Sequence, residues 1–231
     1  MYGGMCTSEY TQSLLNLSEA ANKSEGVKLT TIFLGNESLI QRGRNTIAHH
    51  FMNLPDATHL LFIDADIKFR VEDIVKMIQA DKSLIIGPVA LKGYNWEEIR
   101  KAAVNGEDDI GRTGGVFNIN HLPGIDMVDE NEPFEIEHGG NAFMMIRRDV
   151  FETLKPHTPI YTNGGRSLPD GVEIYDYFRV EINKDTNHLL SEDYFLCHSY
   201  RQVGGKVWCA PWVETGHFGS HLFNGKYTRN N

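Results

Sequence analysis

Hydrophobic and polar positions in the first half of the chain fall into alternating helix-like and strand-like blocks. Tyr10, Leu14, Leu17 and Ala21 recur close to the helical repeat, and Thr7 or Ser8 stands where an N-cap is needed. "VKLTTIFL" (27–34) reads as a strand. Ser38 followed at the third position by Gln41 forms a capping-box pattern, which predicts a helix running to about Asn53. "HLLFI" (59–63) predicts a strand, "VEDIVKMIQA" (71–80) a short helix, and "SLIIG" (83–87) a strand stopped by Pro88. Strand-length apolar runs separated by amphipathic helices predict an α/β domain, a mainly parallel sheet covered by helices.

The second half is less regular. Residues 105–135 are rich in Gly, Asp, Glu and Asn, which predicts a long loop or an added hairpin. "NAFMMIRR" (141–148) regains strand character, and Asp149 can cap a short helix. Residues 156–188 carry Pro156, Pro159, Gly164, Gly165, Pro169 and Gly171, a loop-rich region of the kind that is usually functional or mobile. "SEDYFLCHSYRQVGG" (191–205) predicts a Ser-capped helix ended by glycine. "KVWCA" (206–210) predicts a last strand, and a polar tail holding His217 and His221 follows.

Length and composition narrow the classes. The 231 residues suit one domain, 1–231. A formal net charge of −9 argues against a protein whose main task is gripping nucleic-acid phosphate. The three cysteines, Cys6, Cys197 and Cys209, are far apart and form no CxxC pair, so neither a zinc ribbon nor a disulfide framework is indicated and a reducing, cytoplasmic setting is expected. No secretory signal is visible, and no apolar run approaches the roughly 18 residues that span a bilayer.

The candidate chemistry begins where "LLFI" runs into Asp64-Ala65-Asp66. Ligands of open α/β sheets bind beyond the carboxyl ends of strands, and residues i and i+2 on a strand face the same way. Two carboxylates so placed suit Mg²⁺ or Mn²⁺ with a substrate phosphate. A solvated strand end explains the tripeptide equally well. A haloacid-dehalogenase-type phosphatase would show DxDx[TV], and Lys68 stands at the last position instead. Glu192 and Asp193 open a helix, where the dipole favours acids in any case. As a functional pair, one of them would accept a proton from an attacking hydroxyl. His217 lies between glycines as a possible imidazole ligand. Arg42 and Arg44 oppose the dipole of their helix, which suggests an anionic neighbour. The Gly139-Gly140 pair before a strand permits close backbone approach.

Taken in order, "YGG", "ESLIQRGRN", "THLLFIDADIKF", "GPVALK", "GGNAFMMIRRDVF", "SEDYFLCHSYRQVGGKVW" and "GHFG" resemble GT-A-fold glycosyltransferases of the family-2-like kind found in phages, large viruses and bacteria. The resemblance spans nearly the whole chain and implies a donor-binding half over about 1–100 and an acceptor and catalytic half over about 101–231. It implies a metal-dependent, inverting hexosyl- or deoxyhexosyltransferase in the cytoplasm, or the host cytoplasm for a virus. The implied donor is a nucleotide sugar, UDP-linked by family frequency, and the acceptor a carbohydrate hydroxyl. Asp64, Ala65 and Asp66 would meet the donor, with Asp64, Asp66 and His217 holding Mn²⁺ or Mg²⁺. Asp193 would be the base with Glu192 beside it. Tyr2, Gly3, Arg42, Arg44 and Asn45 would lie near the nucleotide, and Lys92, Gly140 and Asn141 near the donor sugar or acceptor. Tyr94, Trp96, Trp208 and Trp212 are candidates for sugar stacking. In that family a complete strand precedes the YGG-like loop; here Met1 leads straight into Tyr2. The readings from other classes are the phosphatase, a sugar-nucleotide pyrophosphorylase, whose Gly-rich N-terminal nucleotide signature is not seen, and a non-catalytic nucleotide-sugar-binding domain.

Overall fold

The computed structural model describes residues 4–108, 110–124, 129–164, 167–219 and 222–225. Tyr2, Gly3 and His221 therefore lie outside the described residues. In chain order the principal elements are α1 (Ser8–Lys23), α2 (Ile40–Met52), β1 (His59–Ile63), β2 (Ile67–Lys68), α3 (Val71–Gln79), β3 (Leu84–Ile86), α4 (Trp96–Asn105) and α5 (Ile110–Thr113). Then come β4 (Ile119–His121), β5 (Phe134–Gly139), β6 (Phe143–Arg147), α6 (Arg148–Leu154), β7 (Ile160–Thr162), β8 (Glu173–Tyr175), β9 (Glu181–Ile182) and β10 (Leu189–Leu190). The chain continues through α7 (Glu192–Gln202), β11 (Val207–Cys209), β12 (Thr215–Phe218) and β13 (Leu222–Gly225).

The main sheet has six strands in the order β1-β6-β3-β11-β5-β4. Successive residues point to opposite faces, and both faces are covered. Leu60, Phe62, Leu84, Ile86, Met144, Ile146, Val207 and Cys209 pack under α2, α6 and α7. Leu61, Ile63, Ile85, Phe143, Met145 and Trp208 pack on the other face, with α1, α3 and Trp212. This double burial is why the strands read as short continuous apolar runs.

The sheet is α/β in layering but mainly antiparallel, not mainly parallel as expected. Among the described residues only β3 and β11 form a parallel pair; β1–β6, β3–β6, β11–β5 and β4–β5 are antiparallel. The α3 crossover does return β3 in the direction of β1. β6, however, enters between them from the second half of the chain and runs against both.

Three further expectations change. Residues 27–34 form no strand, and Val27, Leu29 and Phe33 are exposed. The segment carries the chain from α1 on one face to α2 on the other, and an alternating pattern without a ladder partner does not make a sheet. The Ser38–Gln41 box does not form: α2 is capped at Leu39, whose N–H donates to the Glu37 carboxylate at 3.0 Å. Asp149 lies inside the first turn of α6 and accepts from the Ser83 hydroxyl instead of capping. The 105–135 stretch contains α5, β4 and the first residues of its partner β5, and 156–188 contains the β7–β8 pair and β9, whose partner β10 follows directly.

Candidate active site

The site is built where β1 and β3 end and β6 begins. The Asp64 N–H donates to Ala142 O at 3.0 Å, and Gly87 N–H to Phe143 O at 2.9 Å. A side chain at Gly87 would drive its Cβ to 2.6 Å from Phe143, so a glycine is required at this junction. The chain turns immediately after β1: Ile67 N–H donates back to Asp64 O at 3.1 Å. Asp64 and Asp66 thus lie on a turn, not on one face of a strand as expected. That turn is pinned by the start of α1, where Thr7 N–H donates to Ala65 O at 3.0 Å. It is pinned again by Phe218 N–H, 2.9 Å from Asp66 O.

The short strand β2 pairs with β12 and places His217 opposite Ile67. His217 Nε2 lies 3.4 Å from Asp66 Oδ2. Its Nδ1 lies 2.8 Å from Ala90 O. A carbonyl only accepts, so Nδ1 carries a proton, and Nε2 is the ring nitrogen that faces the carboxylate. Lys92 Nζ reaches the same Asp66 oxygen at 2.5 Å. Burial works to raise the Asp66 carboxyl, but the hydrogen bonds from His217 and Lys92 prevail and lower it to about 2. Asp64 is more deeply buried, and desolvation raises its carboxyl against the pull of Arg44 and His217.

A cavity of about 120 Å³ lies among Arg44, Asp64, Asn118, Gly140, Asn141, Asp193 and His217, with Gly87 and Ala90 in its wall. Six of the residues expected from the sequence therefore meet at one place. Asp193 enters from the first turn of α7. Its Oδ1 accepts from the Ser191 hydroxyl and from Tyr194 N–H at 2.8 Å, and its Oδ2 from Asn141 N–H at 3.3 Å. Ser191 is the N-cap residue, but its hydroxyl serves Asp193 and not the helix backbone. The Asn141 side chain is buried, and neither its amide oxygen nor its nitrogen has a protein partner. Unpaired buried amide atoms cost free energy, which is why they mark sites that await a ligand or water.

Other expected residues are committed elsewhere. Glu192 faces away from a proton-transfer role: its carboxylate meets Arg44 at 2.5 Å in a buried pair. Burial raises the Glu192 carboxyl, and the Arg44 guanidinium opposes that rise. Arg42 is held by Glu37 through two bonds of 2.8 and 2.6 Å. Asn45 is a strut: it donates to Asp176 at 2.8 Å and accepts from Phe178 N–H at 2.8 Å. Ala65 contributes its backbone carbonyl to α1, and Lys92 is tied to Asp66, not turned to a sugar. Trp208 lies in β11 under the ammonium groups of Lys82 and Lys206, and Trp212 is buried beneath Lys76. Trp96 alone of the tryptophans is widely exposed, 5.3 Å from Tyr94.

The wall nearest Asp193 was not foreseen. Tyr194 donates to Asn118 Oδ1 and accepts from Asn120 Nδ2 at 2.8 Å, with the His138 ring stacked on it at 4.0 Å. Asn118 and Asn120 lie in the stretch whose polar composition suggests a long loop or an added hairpin, and no residue type there announces a site.

Among the described residues, no three His, Cys, Asp or Glu side chains form a ready cluster for a metal ion. Asp66 and His217 nonetheless fit a divalent cation as a pair: one hard carboxylate and one imidazole whose tautomer is fixed from behind by Ala90 O. Such ions often take the rest of their ligands from water and substrate phosphate.

Neither a family model nor a curated protein sequence matches the chain. Among solved structures, the crystal structure of A197 from STIV aligns with 97% of this chain and 91% of that one. The TM-score is 0.52 at 12% identity. The likeness is one of fold. No helix of the described residues is long and apolar enough to cross a membrane.

Proposed function

We propose that the chain is a variant GT-A-type glycosyltransferase. It would move a sugar from a nucleotide-sugar donor, UDP-linked in the first instance, to a carbohydrate hydroxyl with inversion. The observation that carries this reading is one cavity whose lining includes the imidazole of an anion–imidazole pair and a restrained carboxylate. Asp64, His217 and Asp193 all line it, and Asp66 adjoins through His217.

A divalent ion held by Asp66 and His217 would neutralise charge on the diphosphate leaving group. The chain's own groups do the rest. Asp66, lowered to about 2, stays ionised at any ordinary pH and so keeps its place for a cation. Arg44, paired with Glu192, sets a fixed positive charge beside Asp64 and limits the cost of that buried carboxylate. Asp193 receives the acceptor's proton as its oxygen attacks the anomeric carbon from the face opposite the leaving group. Its three hydrogen-bond donors hold the carboxylate in one orientation, so little reorganisation is needed during transfer.

The test is Asp193→Asn. Donor and Mn²⁺ binding by calorimetry should persist, while sugar transfer falls by roughly a hundredfold or more. Normal transfer by Asp193→Asn removes the base assignment. An NMR-determined product of retained configuration removes the inverting mechanism. Release of phosphate from simple esters without any acceptor would replace the reading with a phosphatase.

A further inference from the structure

Two nitrogen contacts converge on one oxygen. Lys92 Nζ lies 2.5 Å from Asp66 Oδ2, and His217 Nε2 faces that same atom from 3.4 Å. With Nδ1 donating to Ala90 O, Nε2 is the ring nitrogen left to face the carboxylate. Lys92 sets a positive charge at hydrogen-bond distance from that oxygen. The ammonium comes from the same segment as the carbonyl that fixes the ring, two residues further on. That segment is anchored by Leu91 N–H, 2.7 Å from Val116 O, and by Gly93 N–H, 2.8 Å from Leu91 O. Ring orientation and counter-charge are therefore set by one short piece of backbone.

We propose that Lys92 is an internal counter-cation, which a divalent ion must displace from Asp66 before it binds. The inference rests on the reading of Asp66 and His217 as the ion's protein ligands. An ammonium at hydrogen-bond distance and a doubly charged ion on the same carboxylate oxygen repel each other, so the two states exclude one another. The exchange is physically accessible because the Lys92 side chain is 40% exposed and has a route into water. A partly exposed ion pair holds by little, so displacement is cheap but not free. The ion's affinity is set lower than its two ligands alone would give. Lys92 in this account is a positioning residue that acts through Asp66; it does not line the cavity.

The experiment titrates Mn²⁺ alone into the full chain at fixed pH and ionic strength, and follows the free-ion signal by electron paramagnetic resonance. Lys92→Met removes the charge with little change in length, and the half-exposed position lets the fold persist. Its Mn²⁺ dissociation constant should fall by about three- to tenfold relative to wild type. Lys92→Gln, a second neutral variant, should do the same. Lys92→Arg keeps a cation and should stay within about twofold of wild type. A dissociation constant that is unchanged or higher in both neutral variants overturns the proposal, as does equal tightening by Lys92→Arg. Absence of Mn²⁺ binding in every protein overturns it together with the metal part of the proposed function. Tightening in the neutral variants without sugar transfer by wild type sustains the exchange and removes the transferase reading.

Discussion

Arg44 is the residue whose loss should be felt most widely, because two buried acids depend on it. Its guanidinium meets Glu192 at 2.5 Å, and the two side chains are only 9% and 11% exposed. It also opposes the rise of the Asp64 carboxyl. Arg44→Met keeps the apolar volume of the side chain and removes the charge. Breaking a buried pair by deleting one partner typically costs 3–5 kcal/mol, since the other charge is left uncompensated. The cavity beside Arg44 offers some access to water, which favours the lower end, about 3 kcal/mol. For a chain of this size that is a drop in Tm of roughly 6–12 °C. Replacing both partners, Arg44→Met with Glu192→Leu, should recover most of the loss, to within about 1 kcal/mol.

The same reasoning fixes a pH dependence. Glu192 and Asp64 both have carboxyls raised by burial above their ordinary values of 4.5 and 3.8. A raised carboxyl contributes stability that is complete below the unfolded value and is lost as pH rises through the folded one. Arg44 limits that rise in the wild type, so the loss is larger without it. The gap between Arg44→Met and wild type should therefore widen from pH 5 to pH 8 in urea melts followed by circular dichroism. A single-variant cost below about 1 kcal/mol, a double variant no more stable than the single, or a gap that narrows with pH would refute the argument.

Two further outcomes follow from the same geometry. Asp66 is depressed to about 2, so its contribution is present above 3.8 and is lost as pH falls through about 2; full linkage would give about 2 kcal/mol, and solvent screening reduces this to about 1. Asp66→Asn should flatten the acid limb of the stability curve in that window, as read by urea midpoints without added metal. Asn45→Ala should cost about 2–3 kcal/mol, because it strands the buried Phe178 N–H and frees Asp176, and it should leave Mn²⁺ affinity unchanged; a loss of Mn²⁺ or donor binding at unchanged stability would return Asn45 to the site.

The elements legible from the sequence are those whose evidence is local. β1 and β3 were readable because burial on both faces makes each a short unbroken apolar run. α1 and α7 were readable from Thr7 and Ser191 at their starts. The α4 signals were equally present, with Asn95 accepting from Glu98 N–H at 3.3 Å and Gly106 closing the helix in the left-handed region, but its sparse apolar face hid it. Strand pairing was not local. Nothing within 141–148 states that β6 will enter between β1 and β3. Nothing within 27–34 states that no ladder awaits it. Alternation reports that a segment suits a sheet, while membership depends on a partner that another part of the chain must supply.

The candidate site divides along the same line. Asp64, Asp193 and His217 share a cavity, because α7 and the β2–β12 pair deliver two of them to the end of β1. Arg42 and Arg44 looked alike as cations against a helix dipole, and the dipole gave no way to tell them apart. Glu37, five residues upstream, claims Arg42, whereas Glu192 claims Arg44 from the other half of the chain. The least legible components are backbone atoms. Ala142 O receives Asp64, Ala65 O receives α1, and Ala90 O sets the proton on His217. Any residue except proline brings a backbone N–H, and every residue brings a carbonyl, so these roles leave no mark in residue type. They decide the chemistry all the same: without Ala90 O to hold the Nδ1 proton, the His217 ring has no fixed side to present to Asp66, and neither Lys92 nor a divalent ion has a defined pair of atoms to join.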